Sequence, residues 1–341
     1  MVFLDGIVFS LQRHGGISVY FQEIYERLLG DCAGARMVVY EGSDSNASLA
    51  GLKNRQGLIK KSGRPLERYR KCAVDEGCVF HSSYYRVPGR KVPSVTTVHD
   101  FTYENFVGGP RRWLHAWQKN ESIKQSDAVI CISENTAKDL VKYCKVDDSK
   151  VKVVYNGVSS DYQPLSEYDL TTNQVLFVGS RAAHKNFWAA VSAISQCMSL
   201  ELTVVGGGDF TEKERVRLET MLPGRYRHMG HLSNSQLNYI YNSSYCLLYP
   251  SSYEGFGIPI IEAMRAGCPV IAVNASSIPE VAGDAALLVE RPEADLIVDA
   301  LNMLKIGRER ETLVHAGFAR ARMFSWDRCY EETRKIYKSL Q

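Results

Sequence analysis

Two carboxylates frame the stretch SSYEGFGIPIIEAMRAGCPVI, residues 251–271. Glu254 opens a glycine turn, and Glu262 interrupts an apolar run eight residues later. Carboxylates are rare in such company unless something pairs with them. An ionised carboxylate can accept hydrogen bonds from two vicinal hydroxyls, so the pair suits a sugar at one acid and a ribose at the other. Glu262 taken alone reads equally well as an acid in the first turn of a helix. Pro259 suits that turn, where its missing N–H costs nothing. The amides of Gly255, Phe256, Gly257 and Ile258 would then point out of a positive helix end, a seat for phosphate.

Cations stand at a second place. VGSRAAHKN, residues 178–186, sets Arg181 and Lys185 just beyond the apolar run QVLFVG that ends at Gly179. A guanidinium fork beside an ammonium point charge suits a leaving pyrophosphate. Either one alone would be an ordinary surface cation. Gly15-Gly16 in RHGGISVYFQEI reads as a turn, and His99 follows the apolar run SVTTVH and precedes Asp100. GGGD, residues 206–209, reads as a tight strand-to-helix turn and is not the dinucleotide fingerprint G-x-G-x-x-G. The chain has no D-x-D motif and no Cys, His and acidic cluster at metal-ligand spacing. No metal or other cofactor is therefore expected, and cations with a helix end would do a metal's work.

These residues need strands to carry them. Runs apolar on both faces occur at 2–5, 36–40, 78–81, 94–99, 128–133 and 151–155, and again at 174–179, 202–206, 245–250, 269–273 and 286–290. Amphipathic stretches lie between them, such as 19–29, where Tyr20, Ile24 and Leu28 recur at helical spacing. Alternation of this kind predicts parallel sheets covered on both faces. The expected fold class is α/β, with two doubly wound domains, 1–158 and 159–324. The polar, turn-rich segment 156–173 breaks between them. A terminal helix over 325–341 would pack back on the first domain. In paired domains of this type, ligands bind where the strand ends of the two sheets face each other.

Composition bounds the rest. The chain has 341 residues, 45% hydrophobic and 23% charged, as in ordinary globular proteins. No apolar run approaches the roughly 18–20 residues that span a bilayer. MVFLDGIVFS reads as a first buried strand rather than a cleavable leader. Nine scattered cysteines without a C-x-x-C pair fit a reducing, cytoplasmic setting. The charge is uneven: residues 1–158 carry 23 Lys and Arg against 17 Asp and Glu, while the remainder carries 18 against 21. Most of the excess lies in Lys53 to Lys71, with eight basic residues and one acid. That stretch is either a solvated face or a contact for an anionic membrane surface or phosphorylated acceptor. Nucleic acid is not an expected partner, since the total charge is modest and no recognition module is present.

EGFGIPIIE matches the E-x(7)-E signature of the retaining glycosyltransferases of family 4, whose fold is GT-B, two Rossmann-like domains facing across a cleft. The resemblance runs along nearly the whole chain, through residues 13–24, VHD at 98–100, VICISENTAKDL at 129–140, VVYNGV at 153–158, VGSRAAHKN at 178–186 and SSIPEVAGDAALLV at 276–289. It implies that Glu254 holds a hydroxyl of the transferred sugar and Glu262 the nucleotide ribose. Arg181 and Lys185 would neutralise the donor diphosphate beside Gly179 and the turn of Gly255, Phe256, Gly257 and Ile258. Gly15 and Gly16 would let backbone approach the same phosphates. His99 would line the sugar pocket, and Glu280 would touch the nucleotide. The first domain would take the acceptor and the second the nucleotide-sugar.

The implied activity is retaining, metal-independent transfer of a hexose from a nucleotide-sugar to a hydroxyl of a glycan or lipid-linked acceptor. VGSRAAHKN together with YEGFGIPIIEAM looks most like bacterial mannosyltransferases of surface polysaccharides, with GDP-mannose as donor. A UDP-hexose donor is the alternative. A nucleotide-sugar epimerase and a non-catalytic nucleotide-sugar binding protein are the competing classes, and an NAD-linked oxidoreductase is disfavoured by the missing fingerprint.

Overall fold

The computed structural model describes residues 1–13, 15–31, 34–52, 57–165, 172–305 and 307–341. Lys53 and Arg55 of the basic stretch, and 166–171 of the segment between the domains, lie outside the described residues. The chain folds into two compact units, Met1–Gly157 with Trp326–Gln341, and Val158–Ser325.

Among the described residues the first unit has seven strands: β1 (Val2–Asp5), β2 (Arg36–Tyr40), β3 (Leu58–Lys61), β4 (Val79–Ser82), β5 (Ser94–Val98), β6 (Ala128–Cys131) and β7 (Val151–Val153). All pair in parallel, in the order β3-β2-β1-β4-β5-β6-β7. Successive residues of β1 face opposite sides, so Val2 and Leu4 join one core and Phe3 another. That two-sided burial is why the strands read as unbroken apolar runs. The helix Gly16–Asp31 covers one face with Tyr20, Phe21, Ile24, Tyr25 and Leu28. The helix Trp326–Ser339 joins the same core through Trp326, Cys329, Tyr330, Ile336 and Tyr337. It is fastened there by Arg27 Nε to Asp327 at 2.8 Å and by the Tyr330 hydroxyl to Asp31 at 3.0 Å. His81 bridges it to the sheet, between the Tyr337 hydroxyl at 2.5 Å and the Thr97 hydroxyl at 2.8 Å.

The second unit repeats the plan with β8 (Gln174–Val178), β9 (Glu201–Val205), β10 (Tyr226–His228), β11 (Cys246–Tyr249), β12 (Val270–Val273) and β13 (Leu287–Val289). Their order is β10-β9-β8-β11-β12-β13, again parallel. Eleven of the thirteen strands among the described residues coincide with the apolar runs of the sequence. The other two, β3 and β10, are short, polar and at the sheet edges, where one side faces no strand and little apolar surface is needed. The basic stretch is thus partly a strand, with Lys60 paired to Asp44 and Arg64 to Glu67. The eight cysteines among the described residues are all buried and unlinked. No described helix is long and apolar enough to cross a membrane.

Candidate active site

The strand order of the second unit reverses between β8 and β11, because the chain steps outward from β8 to one edge and from β11 to the other. Loops leaving the carboxyl ends of two such strands diverge and open a crevice, the usual ligand position in doubly wound sheets. Lys185 sits in the loop after β8 and Glu254 in the loop after β11. The structure brings them together: Lys185 Nζ lies 2.5 Å from Glu254 Oε1. Both side chains keep a little exposure, 17% and 12%. The Tyr249 hydroxyl also bonds Glu254, and the Tyr249 ring lies 5.6 Å from the ammonium.

Backbone around the pair is held in uncommon conformations. Asn186 and Ser276 both have positive φ, 50° and 51°, rare outside glycine. Asn186 Nδ2 donates to the Pro250 carbonyl at 2.9 Å and to the Ser252 hydroxyl at 2.5 Å, lashing the two loops together. Ser276 Oγ accepts from the Glu254 amide at 2.8 Å. The fully buried Ser277 hydroxyl lies 2.9 Å from the carbonyl oxygens of both Glu254 and Phe256. Four polar side chains therefore fix the EGFG turn and the neighbouring loop. Strain concentrated this way marks a place whose geometry is over-determined by its surroundings.

Gly257 ends the turn at φ 107°, a conformation open essentially to glycine, and caps the helix Ile258–Ala266 without a side-chain bond. Its first turn carries no acid. This corrects the placement of Glu262, which is the helix's fifth residue because Ile258, not a later residue, begins it. Glu262 is instead turned toward the helix Asn234–Asn242, where its Oε2 accepts from the Tyr241 hydroxyl at 3.0 Å. Withdrawal from water raises its carboxyl to about 7, against the opposing bonds from Tyr241 and Tyr162.

Arg181 is placed differently from Lys185. Its Nε donates to Glu214 at 2.8 Å, and its terminal nitrogens donate to the Gly208 and Asp209 carbonyls at 3.0 and 2.8 Å. The guanidinium also stacks over Phe210 at 4.6 Å. It clasps the turn of Gly206, Gly207 and Gly208, all at positive φ, to the capped helix Glu212–Met221. Gly179 joins this turn through its amide to the Val205 carbonyl at 2.9 Å and has φ 128°.

Gly15, Gly16 and His99 lie in the first unit, and Glu280 in the second. Gly16 begins the helix Gly16–Asp31, and Gly15 precedes it. His99 follows β5, packed edge-on against Tyr20 at 5.2 Å. Its Nε2 is buried without a hydrogen-bond partner, and burial lowers the imidazole to about 4. Glu280 lies in the first turn of the short helix Ile278–Ala282, where its carbonyl accepts from Arg320. Among the described residues, no group of three or more His, Cys, Asp or Glu is arranged to hold a metal ion.

Sequence reasoning missed the supports: Asn186, Ser276, Ser277, Tyr241 and Tyr162. Asn186 and the serines stand in the stretches already singled out, and a polar residue at a strand end was the available signal. Nothing local marks the tyrosines, which reach Glu262 from 21 and 100 residues away in the sequence.

Residues 163–317 match the family described as Glycosyl transferases group 1, and residues 76–162 the one described as Glycosyltransferase Family 4. The O-antigen chain mannosyltransferase B of Escherichia coli is 28% identical over 328 residues, 87% of this chain and 86% of that one. Among solved structures, the sucrose-phosphate synthase of Thermosynechococcus elongatus superposes with a TM-score of 0.78, covering 99% of this chain and 98% of that one at 19% identity. HepE of Anabaena, solved with UDP-glucose, gives 0.75 over 99% of both chains at 16% identity. Two Rossmann-like units of this kind, with these matches, define a glycosyltransferase of the GT-B class. More narrowly, the chain carries group 1 and family 4 glycosyltransferase domains and resembles bacterial surface-polysaccharide mannosyltransferases.

Proposed function

We propose that the chain is a retaining, metal-independent mannosyltransferase that uses GDP-mannose and a hydroxyl of a glycan or lipid-linked acceptor in surface polysaccharide biosynthesis. The observation that carries this reading is the Lys185–Glu254 pair at the β8/β11 reversal. In the structure each charge answers the other. On donor binding the diphosphate takes Lys185, and Glu254 is released to accept a hydrogen bond from the sugar. Negative charge then builds on the departing diphosphate, and the ammonium stabilises it most when the bond from C1 to the phosphate oxygen breaks. The acceptor oxygen bonds C1 on the same face, its proton passing to the departing phosphate oxygen, so the anomeric configuration is kept.

Arg181 is the second cation of the proposed clamp, with a smaller share because Glu214 already answers its charge. Glu262 takes the ribose, while Gly179 and the turn of Gly255, Phe256, Gly257 and Ile258 receive the diphosphate. Gly15, Gly16 and His99 keep the roles implied by the family, approach to phosphate and a wall for the sugar. The unpaired His99 Nε2 supports the last of these.

Mannose is favoured by the O-antigen mannosyltransferase relative; a UDP-hexose stands second, since HepE was solved with UDP-glucose. A thermal-shift and saturation-transfer panel of nucleotide-sugars decides the donor. Turnover of donor alone to a second nucleotide-sugar would assign an epimerase instead. Activity lost to a chelator and restored by magnesium or manganese would refute the metal-free clamp, and an inverted product would refute retention.

The chain is proposed to work in the cytoplasm at the inner face of the cell membrane, with the basic residues between 53 and 71 near an anionic surface. Vesicle binding should then fall with salt and on neutralising Lys60, Lys61 and Arg64.

A further inference from the structure

Two of the chain's four tryptophans stand exposed on one helix. The helix Pro110–Gln125 buries His115, Gln118, Lys119, Ser122 and Ile123. Trp113 and Trp117, four residues apart, point the opposite way with 78% and 58% of their surface exposed, and Leu114 is exposed beside them. Tryptophan normally buries 150–250 Å² of ring. A cluster left in water marks a surface that something covers.

The same helix carries Arg111 and Arg112, both exposed, and has no acid from Pro110 to Asn120. A second segment is fastened to it: Gln118 Nε2 donates to the Arg68 carbonyl at 2.7 Å, and Arg68 Nε donates to Gln118 Oε1 at 3.4 Å. That segment presents Leu66, 73% exposed, and Tyr69, followed by exposed Arg70 and Lys71. Apolar and indole groups thus stand among cations without interspersed exposed acids on either segment.

We propose that the face of Trp113, Leu114, Trp117 and Leu66, bordered by Arg111 and Arg112, docks on an anionic lipid bilayer. Tryptophan and tyrosine settle at headgroup depth, apolar body inward and polar edge toward water. Arginines around them pair with anionic headgroups, and the two terms together set interfacial binding. A second copy of the chain is a poorer occupant. A two-fold contact through this face would set Arg111 and Arg112 near their own counterparts with no acid between. The inference rests on the membrane placement proposed above, is independent of the donor assignment, and adds to the basic stretch, which contributes Leu66, an interfacial helix outside it.

The test is co-sedimentation of the full chain with phosphatidylcholine vesicles, with and without phosphatidylglycerol, and tryptophan emission read in parallel. The wild type binds the anionic vesicles and its emission moves to shorter wavelength. Trp113→Ser/Trp117→Ser and Arg111→Gln/Arg112→Gln each weaken binding by about tenfold or more, with melting temperature and nucleotide binding unchanged. Equal binding by the tryptophan variant overturns the proposal, as does equal binding to neutral vesicles. A dimer that the tryptophan substitutions dissociate, without vesicle binding, also overturns it and assigns the face to a second copy.

Discussion

Each sheet reverses its strand order once, between β1 and β4 in the first unit and between β8 and β11 in the second, and a cation–carboxylate pair stands at both reversals. In the first, Asp5 ends β1 and Arg86 follows β4. The guanidinium is wholly enclosed, donating to Asp5 at 3.0 Å, the Tyr40 hydroxyl at 2.7 Å, Glu67 at 2.8 Å and the Arg70 carbonyl at 2.9 Å. In the second, Lys185 has one carboxylate, and both partners keep some exposure. The same topology supplies a crevice twice. Only the one whose charges are under-committed can exchange a protein partner for a ligand, while the other has become architecture.

That contrast breaks most visibly in stability. Arg86→Met strands Asp5 and Glu67 without their buried counterion and should cost about 3–5 kcal/mol, read as a drop in melting temperature. Burial already pushes the Asp5 carboxyl up to about 6, so part of the loss is relieved by its protonation in mild acid. Lys185→Met breaks a pair with a single carboxylate whose partners still reach solvent, so a smaller loss is expected. Equal losses in the two variants would erase the distinction.

Turnover should show the reverse order. Lys185→Ala is expected to lose about two to three decades, or roughly 3–4 kcal/mol, the scale for removing one stabiliser of developing charge. Lys185→Arg should recover only part, because a planar fork is not a point charge. Glu254→Gln should lose one to a few decades, at about 1.4 kcal/mol each, with nucleotide affinity little changed. Arg86→Met, measured below its melting temperature, should keep its turnover. Arg181→Ala should fall between the two regions, losing about one decade and some melting temperature, because it serves both the clamp and the Gly206–Gly208 turn. A full two-decade loss at Arg181 with unchanged melting would make it the principal cation.

The sheets were legible because interior parallel strands are apolar on both faces, as in QVLFV and CLLY. β3 and β10 were not, since the edge strands LIKK and YRH bury little and resemble charged loop. At the site, residue types and glycine spacing marked Glu254, Glu262 and Lys185. Direction was hidden: the sequence sets Arg181 four residues from Lys185, yet Glu214 and the Gly208 and Asp209 carbonyls draw it away from Glu254. The turn around Glu254 was legible as a turn. The hydroxyls that hold it, Ser276 and Ser277, come from the loop after β12, a tertiary fact with no local period.

Glu262 gives the finest division, because the residue keeps partial exposure while its carboxyl, held by Tyr241, is drawn away from water. Its carboxyl titrates near 7 in the folded chain against 4.5 unperturbed. The sign follows from that rise: the folded state binds the proton more tightly, so the associated stability is full below 4.5 and is lost as pH climbs through 7. Ribose recognition runs the other way, since two hydroxyls donate best to an ionised carboxylate. A nucleotide-sugar is the right probe, for its diphosphate, esterified at both ends, has no proton to lose near neutrality. Its dissociation constant should tighten from pH 6 to pH 8, with affinity at pH 6 about tenfold below the plateau, or roughly 1.4 kcal/mol. Glu262→Gln should bind more weakly with no slope over that range. Tyr241→Phe removes a bond that favours the ionised form, so its profile should move to higher pH. A wild-type affinity that is flat with pH, measured calorimetrically beside Glu262→Gln, would leave the carboxylate as a tyrosine anchor inside the helix packing, and the second crevice would then hold one working acid rather than two.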